Sequence, residues 1–189
     1  MFRIAVLAST NGTDLQAIID EIKNGTLEVE LSVVIGNREC FAVERAKNQG
    51  FHALVIPSKG KDRAEFDQEL ITELEKYNVN LIVLVGYMRL FSPVFVTQYA
   101  GRIINVHPSL LPKYPGMDRD VYQEVLEAGE KETGMTIHFV DEGMDTGEII
   151  LQKKVTIADD DTVESLRLKV QALEKKWYPR VIEELSKKL

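Results

Sequence analysis

Short apolar blocks separated by amphipathic stretches dominate the first hundred residues. Residues 4–7, 31–35, 53–56 and 80–85 are runs rich in Ile, Val, Leu and Ala flanked by turn formers, the pattern of strands buried on both faces. Between the first two, 15–23 carries Leu15, Ile18, Ile19 and Ile22 at helical spacing. Residues 41–48 read as a helix stopped by Gly50, and residues from about 64 to 77 as another. Ser92 before Pro93 sets a capping hydroxyl ahead of the helical position where proline's missing N–H costs nothing, so a further helix starts there. Residues 103–106 are again strand-like. Strands alternating with helices predict an α/β chain with a doubly wound, mostly parallel sheet.

The second half changes rhythm. Residues 121–128 form a short helical pattern ended by Gly129, and 135–140 a strand containing His138. A glycine-rich acidic loop follows at 141–147, then a strand over 149–157. Two strands without a helix between them predict an antiparallel edge on the parallel sheet. Residues 162–189 read as a closing helix, expected to bend or break before Pro179 because proline removes a helical donor. No repeat, low-complexity tract or linker divides the chain, so 1–189 is expected to be one domain.

The stretch 102–116 organises the chemistry. It begins as an apolar strand, turns polar at Asn105 and His107, and then meets Pro108, Pro112 and Pro115, which cannot continue a ladder. Residues two apart on a strand share a face, so the amide and the imidazole point together at the carboxyl edge, where open α/β sheets bind ligands. Together they offer donors to an oxygen that turns negative during reaction. Asp145, in the acidic loop, is a carboxylate able to favour an imidazolium and to relay a proton. Ser109 has no nucleophile-elbow context, so attack by a substrate nucleophile is preferred over a covalent enzyme intermediate. His138, alone in mid-strand, reads as a hydrogen-bonded core histidine, and Cys40 as a small packed residue.

Composition narrows the classes. A formal net charge of −7 over 189 residues disfavours a nucleic-acid partner. One cysteine precludes an internal disulfide and fits a reducing, cytoplasmic setting. The apolar start is short and leads directly into a polar loop, so it is expected to be a buried strand rather than a signal peptide, and no run is long enough to span a bilayer. The histidines and carboxylates match no metal-ligand spacing, so no metal is expected. The loop 9–14 opens a helix whose N-terminus suits a phosphate, although a plain turn capped by Thr13 or Asp14 explains it as well. It is neither a dinucleotide fingerprint nor a P-loop.

Several segments together resemble the folate-dependent formyltransferases that act on glycinamide ribonucleotide in purine synthesis. They are Asn11-Gly-Thr-Asp-Leu-Gln-Ala-Ile-Ile19, Gly86-Tyr-Met-Arg89, Ile104-Asn-Val-His-Pro-Ser-Leu-Leu-Pro-Lys-Tyr-Pro-Gly116, Thr136-Ile-His-Phe-Val-Asp-Glu142 and Met144-Asp-Thr-Gly147. The resemblance implies a Rossmann-like formyltransferase domain, with a nucleotide-binding half over about 1–100 and a folate and catalytic half over about 101–189. It implies attack of the acceptor amine on the formyl carbon of 10-formyltetrahydrofolate, the co-substrate. Asn105 and His107 would stabilise the oxyanion, and Asp145 would keep His107 charged and help move protons. Met88, Arg89, Leu90 and the loop backbone at Asp141 and Gly143 would hold the pterin, with Arg63 on the glutamate tail. Gly12, Thr13 and Asp14 would seat the acceptor phosphate and Glu174 the ribose hydroxyls. Partners are then small molecules, in a monomer or a homodimer. Two departures bear on the acceptor. Asp14 stands where the family usually has asparagine, and 117–120 replaces a shorter loop that often carries a histidine. A related formyltransferase or deformylase with a different acceptor is the alternative.

Overall fold

Seven strands build one sheet: β1 (Phe2–Ala8), β2 (Val29–Gly36), β3 (Ala53–Val55), β4 (Leu81–Val85), β5 (Ile103–His107), β6 (Glu132–Phe139) and β7 (Ile149–Thr156). Their order across the sheet is β3-β2-β1-β4-β5-β6-β7. All pairings from β3 to β5 are parallel, whereas β5–β6 and β6–β7 are antiparallel. The helices are α1 (Thr13–Lys23), α2 (Phe41–Asn48), α3 (Arg63–Glu75), α4 (Pro93–Gln98), α5 (Val121–Glu127) and α6 (Val163–Ser186). This computed structural model describes residues 1–117 and 119–189; Asp118, inside the 117–120 loop, lies outside the described residues.

The strand period of two sorts the core into layers. Ile4, Val6 and Ala8 of β1 pack with Leu15, Ile18 and Ile19 of α1 and with Val170, Tyr178 and Ile182 of α6. Ala5 and Leu7 face the other way, onto Phe66, Leu70 and Leu74 of α3 and Phe95 of α4. Strand order reverses between β1 and β4, so a crevice opens beyond their carboxyl ends, beside β5.

Most predicted elements stand within two residues of their expected bounds, and three features differ. β6 starts at Glu132, three residues early, because the polar Thr133 is buried and Gly134 lets β7 approach; a Cβ there would stand 1.9 Å from the Lys153 carbonyl oxygen. α1 is capped by neither Thr13 nor Asp14. Its N-cap is Gly12 at φ 68°, without a side-chain hydrogen bond, and a Cβ on Gly12 would meet that of Ala42 at 2.7 Å. α6 runs unbroken through Pro179. The lost helical bond is offset by burial, since Tyr178, Pro179, Val181 and Ile182 are all buried. The Tyr178 hydroxyl also donates to the carbonyls of Leu84 (2.9 Å) and Ile104 (3.1 Å), pinning the helix to two central strands.

Where α1 meets α6, two carboxyl groups are buried. Asp14 and Glu174 are each 6% exposed, and Asp14 Oδ1 has no partner in the described structure. Burial pushes the Asp14 carboxyl up to about 6, against the pull of Lys175. Glu174 is raised well above the usual carboxylate range by burial and then by Asp14. No helix among the described residues is long and apolar enough to cross a membrane.

Two stability predictions follow from this packing. Tyr178→Phe should cost about 1–3 kcal/mol in denaturant unfolding, the range for stranding buried polar groups. For Asp14, a folded pKa above the unfolded value means stability that is complete below about pH 4 and is lost as pH rises through 6. Asp14→Asn should therefore raise stability by on the order of 1–3 kcal/mol at pH 8, with the gain fading at pH 4 in paired thermal melts.

Candidate active site

The site begins at a loop that cannot hydrogen-bond in the ordinary way. Beyond His107, the prolines leave few backbone donors, so side chains of the neighbouring strands hold the chain instead. Thr136, opposite His107 on β6, donates its hydroxyl to the Ser109 carbonyl (2.7 Å) and accepts from the Leu111 N–H (3.0 Å). Gln152 on β7 donates to the Leu111 carbonyl (2.9 Å), and the Ser109 hydroxyl donates to the Lys113 carbonyl (2.6 Å). Ser109 is fully buried in this structural tie.

The loop then returns past His107. The Tyr114 carbonyl faces His107 Nε2 at 2.7 Å, and Asp145 Oδ2 stands 3.3 Å from His107 Nδ1. Both flanking residues have left-handed backbones, Tyr114 at φ 54° and Asp145 at φ 56°, a conformation that costs most residues on the order of 1 kcal/mol. Only an imidazolium can donate on both sides. Burial works against it: desolvation holds the His107 pKa below the ordinary imidazole value, although Asp145 and the Tyr114 carbonyl both raise it. Asp145 thus favours the charged ring, as expected of it, against the desolvation that favours the neutral one. For Asp145, burial also opposes the charge, yet hydrogen bonds from His138 and the Gly116 N–H (2.7 Å), with both imidazoles nearby, hold its carboxyl below the usual range.

His138 belongs to this cluster, which the sequence reading missed. It is paired with Asn105 in the β5–β6 register, and its Nε2 lies 3.3 Å from Asn105 Nδ2 and 3.5 Å from Asp145 Oδ1. Its Nδ1 faces the Phe139 carbonyl at 2.8 Å. The expected core histidine is indeed buried and hydrogen-bonded, but at the site. The only sequence signal was its position on the strand that feeds the Asp145 loop.

Two cavities flank the cluster. One is walled by Leu84, Leu90, Phe91 and Val140 and floored by Asn105, His138 and the 141–145 segment, with Arg89 at its side. Arg89 stacks over Phe66 (4.7 Å) and donates to the carbonyls of Lys61 and Asp62, while its Nε is buried without a partner among the described residues. Leu90, Arg89, Asp141 and Gly143 therefore line one cavity together. Met88 does not; its N–H donates to Ser9 Oγ (2.8 Å), and it lines the second cavity, with Pro108, Tyr122 and two arginines. Arg63 lines neither. Asp14 and Glu174 come together at the α1–α6 seam beside Tyr122, whose hydroxyl pKa is raised by burial and then by Glu174, while Gly12 and Thr13 directly precede Asp14 at the start of α1. Of the expected trio, Asn105 and Asp145 face the first cavity. His107, 4% exposed, stands behind them because the Tyr114 carbonyl occupies its outer nitrogen.

Comparison with known proteins identifies the family. The family model described as "Formyl transferase" matches residues 2–182. A phosphoribosylglycinamide formyltransferase of Escherichia coli (strain K12) is 43% identical, over 95% of this chain and 84% of the relative. One from Bacillus subtilis (strain 168) is 40% identical, over 98% and 95%. The crystal structure of glycinamide ribonucleotide transformylase 1 from Symbiobacterium toebii superposes with a TM-score of 0.93 at 41% identity, covering 99% of this chain and 88% of that one. Sequence and fold thus converge, and the chain belongs to the formyl transferase family.

Proposed function

We propose that the chain formylates the amine of glycinamide ribonucleotide, the formyl transfer its relatives are named for, with 10-formyltetrahydrofolate as the donor. The observation that carries this reading is the Asn105–His138–Asp145–His107 cluster beside an apolar cleft and next to a polar, charged cavity. The apolar cleft suits a flat heterocycle, with loop backbone and the unpartnered Arg89 Nε as its polar contacts. The donor supplies the electrophilic formyl carbon; the remaining work falls to side chains.

Asn105 Nδ2 is the donor that faces the cleft. It is placed to hydrogen-bond the formyl oxygen as the amine adds to the carbon and the carbonyl electrons move onto that oxygen. His107 is not a second direct donor in this geometry. It can hold the proton released by the attacking amine, received through Asp145 and returned to it, since both of its nitrogens face acceptors. Asp145, ionised and touching both imidazoles, carries the amine proton toward the departing nitrogen as the carbon–nitrogen bond of the donor breaks. Glu174, buried beside Tyr122, is the acceptor for ribose hydroxyls.

The decisive experiment follows tetrahydrofolate release from 10-formyltetrahydrofolate with and without glycinamide ribonucleotide. Release that requires the ribonucleotide supports the reading; release without it identifies a deformylase. His107→Ala and Asp145→Asn should each lower kcat by ~10²–10⁴ while leaving circular dichroism unchanged, and near-normal turnover in Asp145→Asn removes the mechanism. Asp14→Asn should preserve or tighten binding of the phosphorylated acceptor, because a buried carboxylate at a helix N-terminus repels phosphate; calorimetric titration reads the change.

A further inference from the structure

One wall of the apolar cleft has no secondary structure of its own. Residues 87–92 run between β4 and α4 outside ladder and helix alike, and Tyr87, Arg89, Leu90 and Phe91 line the cleft. Backbone of this kind takes its shape from whatever accepts its N–H groups. Two of them are held, both by side chains of distant segments. The Met88 N–H donates to Ser9 Oγ (2.8 Å), just beyond β1, and the Ser92 N–H donates to Asp67 Oδ2 (2.5 Å) on α3. Gly86, at φ 54°, leads into the segment where a Cβ would collide with the Thr10 hydroxyl.

Asp67 is 1% exposed and sits on the helix that also holds Arg89. Arg89 donates to the carbonyls of Lys61 (3.1 Å) and Asp62 (2.9 Å) at the start of α3, and it stacks over Phe66, the residue before Asp67. The helix therefore grips the wall at Arg89 and at Ser92, with Leu90 and Phe91 strung between. Burial raises the Asp67 carboxyl above its ordinary value, while the Ser92 hydrogen bond, Arg89 and Arg63 favour its ionised form. Among the described residues, four buried side-chain polar atoms have no partner, and three of them belong to this joint: Asp67 Oδ1, Tyr87 Oη and Arg89 Nε. Unsatisfied groups gathered in one place mark a joint where packing serves something besides stability.

We propose that Asp67 is a positioning residue for the formyl donor: by holding Ser92 it fixes the cleft wall from Arg89 to Phe91, against which the donor's heterocycle lies. It lines neither cavity, so it acts only through that wall. Met88, the one residue of 87–92 that lines the acceptor cavity, has its own tie to Ser9, so the acceptor is held independently of Asp67. The inference rests on the formyl-transfer reading for the identity of the cleft's occupant, and on the hydrogen bonds alone for what holds the wall.

The test compares Asp67→Ala and Asp67→Asn with the unaltered chain, measuring KM separately for 10-formyltetrahydrofolate and for glycinamide ribonucleotide. Asp67→Ala should raise the donor KM about tenfold or more, the scale of one hydrogen bond to a charged group. The acceptor KM should stay within about twofold. Asp67→Asn keeps an oxygen for the Ser92 N–H but not the charge, so its donor KM should rise several-fold, between the other two. A merely structural role would lower the folded fraction, and with it apparent kcat, and leave both KM values in place; that result overturns the proposal, as does an equal rise in both. If Asp67→Ala does not fold, the same comparison on Asp67→Asn decides alone. Calorimetric titration of tetrahydrofolate into the three proteins separates this inference from the reading beneath it. Graded weakening of tetrahydrofolate binding without ribonucleotide-dependent transfer in the unaltered chain means that the formylation reading fails and the positioning role stands. Transfer with tetrahydrofolate binding indifferent to residue 67 means the reverse.

Discussion

The antiparallel pairing of β5 with β6 is the contact on which the site depends. It sets His138 opposite Asn105 and Thr136 opposite His107. The first pair joins two catalytic candidates across the ladder; the second gives the proline-rich loop its anchor. A one-residue slip would turn both β6 side chains to the other face of the sheet. The loop beyond His107 would then lose the hydroxyl that holds its Ser109 carbonyl and Leu111 N–H. Pinning α6 through Tyr178 to Leu84 and Ile104 steadies the same central strands from the other side.

Charge in this protein is arranged against burial rather than by simple pairing. The carboxyl groups of Asp14, Glu174 and Asp145 and the imidazole of His107 are largely removed from water, and desolvation disfavours the charged form of each. Asp145 stays ionised because it accepts from a backbone N–H and adjoins both rings. His107 is left below the ordinary imidazole value, so added negative charge in the cleft can shift it. Burial raises both Asp14 and Glu174, Asp14 raises Glu174 further, and among the described residues Asp14 Oδ1 has no partner. Such uncompensated polar groups are expected at functional sites, where folding stability is given up for chemistry or binding.

The apolar periodicity of the chain was sufficient for the fold. Blocks such as 81–85 and 33–35 are apolar throughout, so burial on two faces was their stable arrangement, and alternating helices imposed the parallel crossovers. Asn105, His107 and Asp145 were also legible, because polar residues at the end of an apolar strand and inside a glycine-rich loop interrupt the hydrophobic pattern. Their exact partners were not. That His107 would turn its outer nitrogen to the Tyr114 carbonyl depends on a left-handed residue in a loop held by Thr136, and no local spacing carries that information.

The sequence by itself therefore determined the order of elements, the parallel sheet with its antiparallel edge, and the residue types at the cleft, since these follow from periodicity and turn chemistry over short windows. Tertiary structure decided which of those residues meet. It brought His138 into the cluster through cross-strand register, moved Met88 from one cavity to the other, and left Gly12 rather than Asp14 as the cap of α1. It also kept α6 continuous through Pro179, where burial against the sheet outweighs a missing hydrogen bond. The physical reason is common to all four: each outcome is set by contacts and desolvation between segments far apart in the chain, which local pattern does not encode.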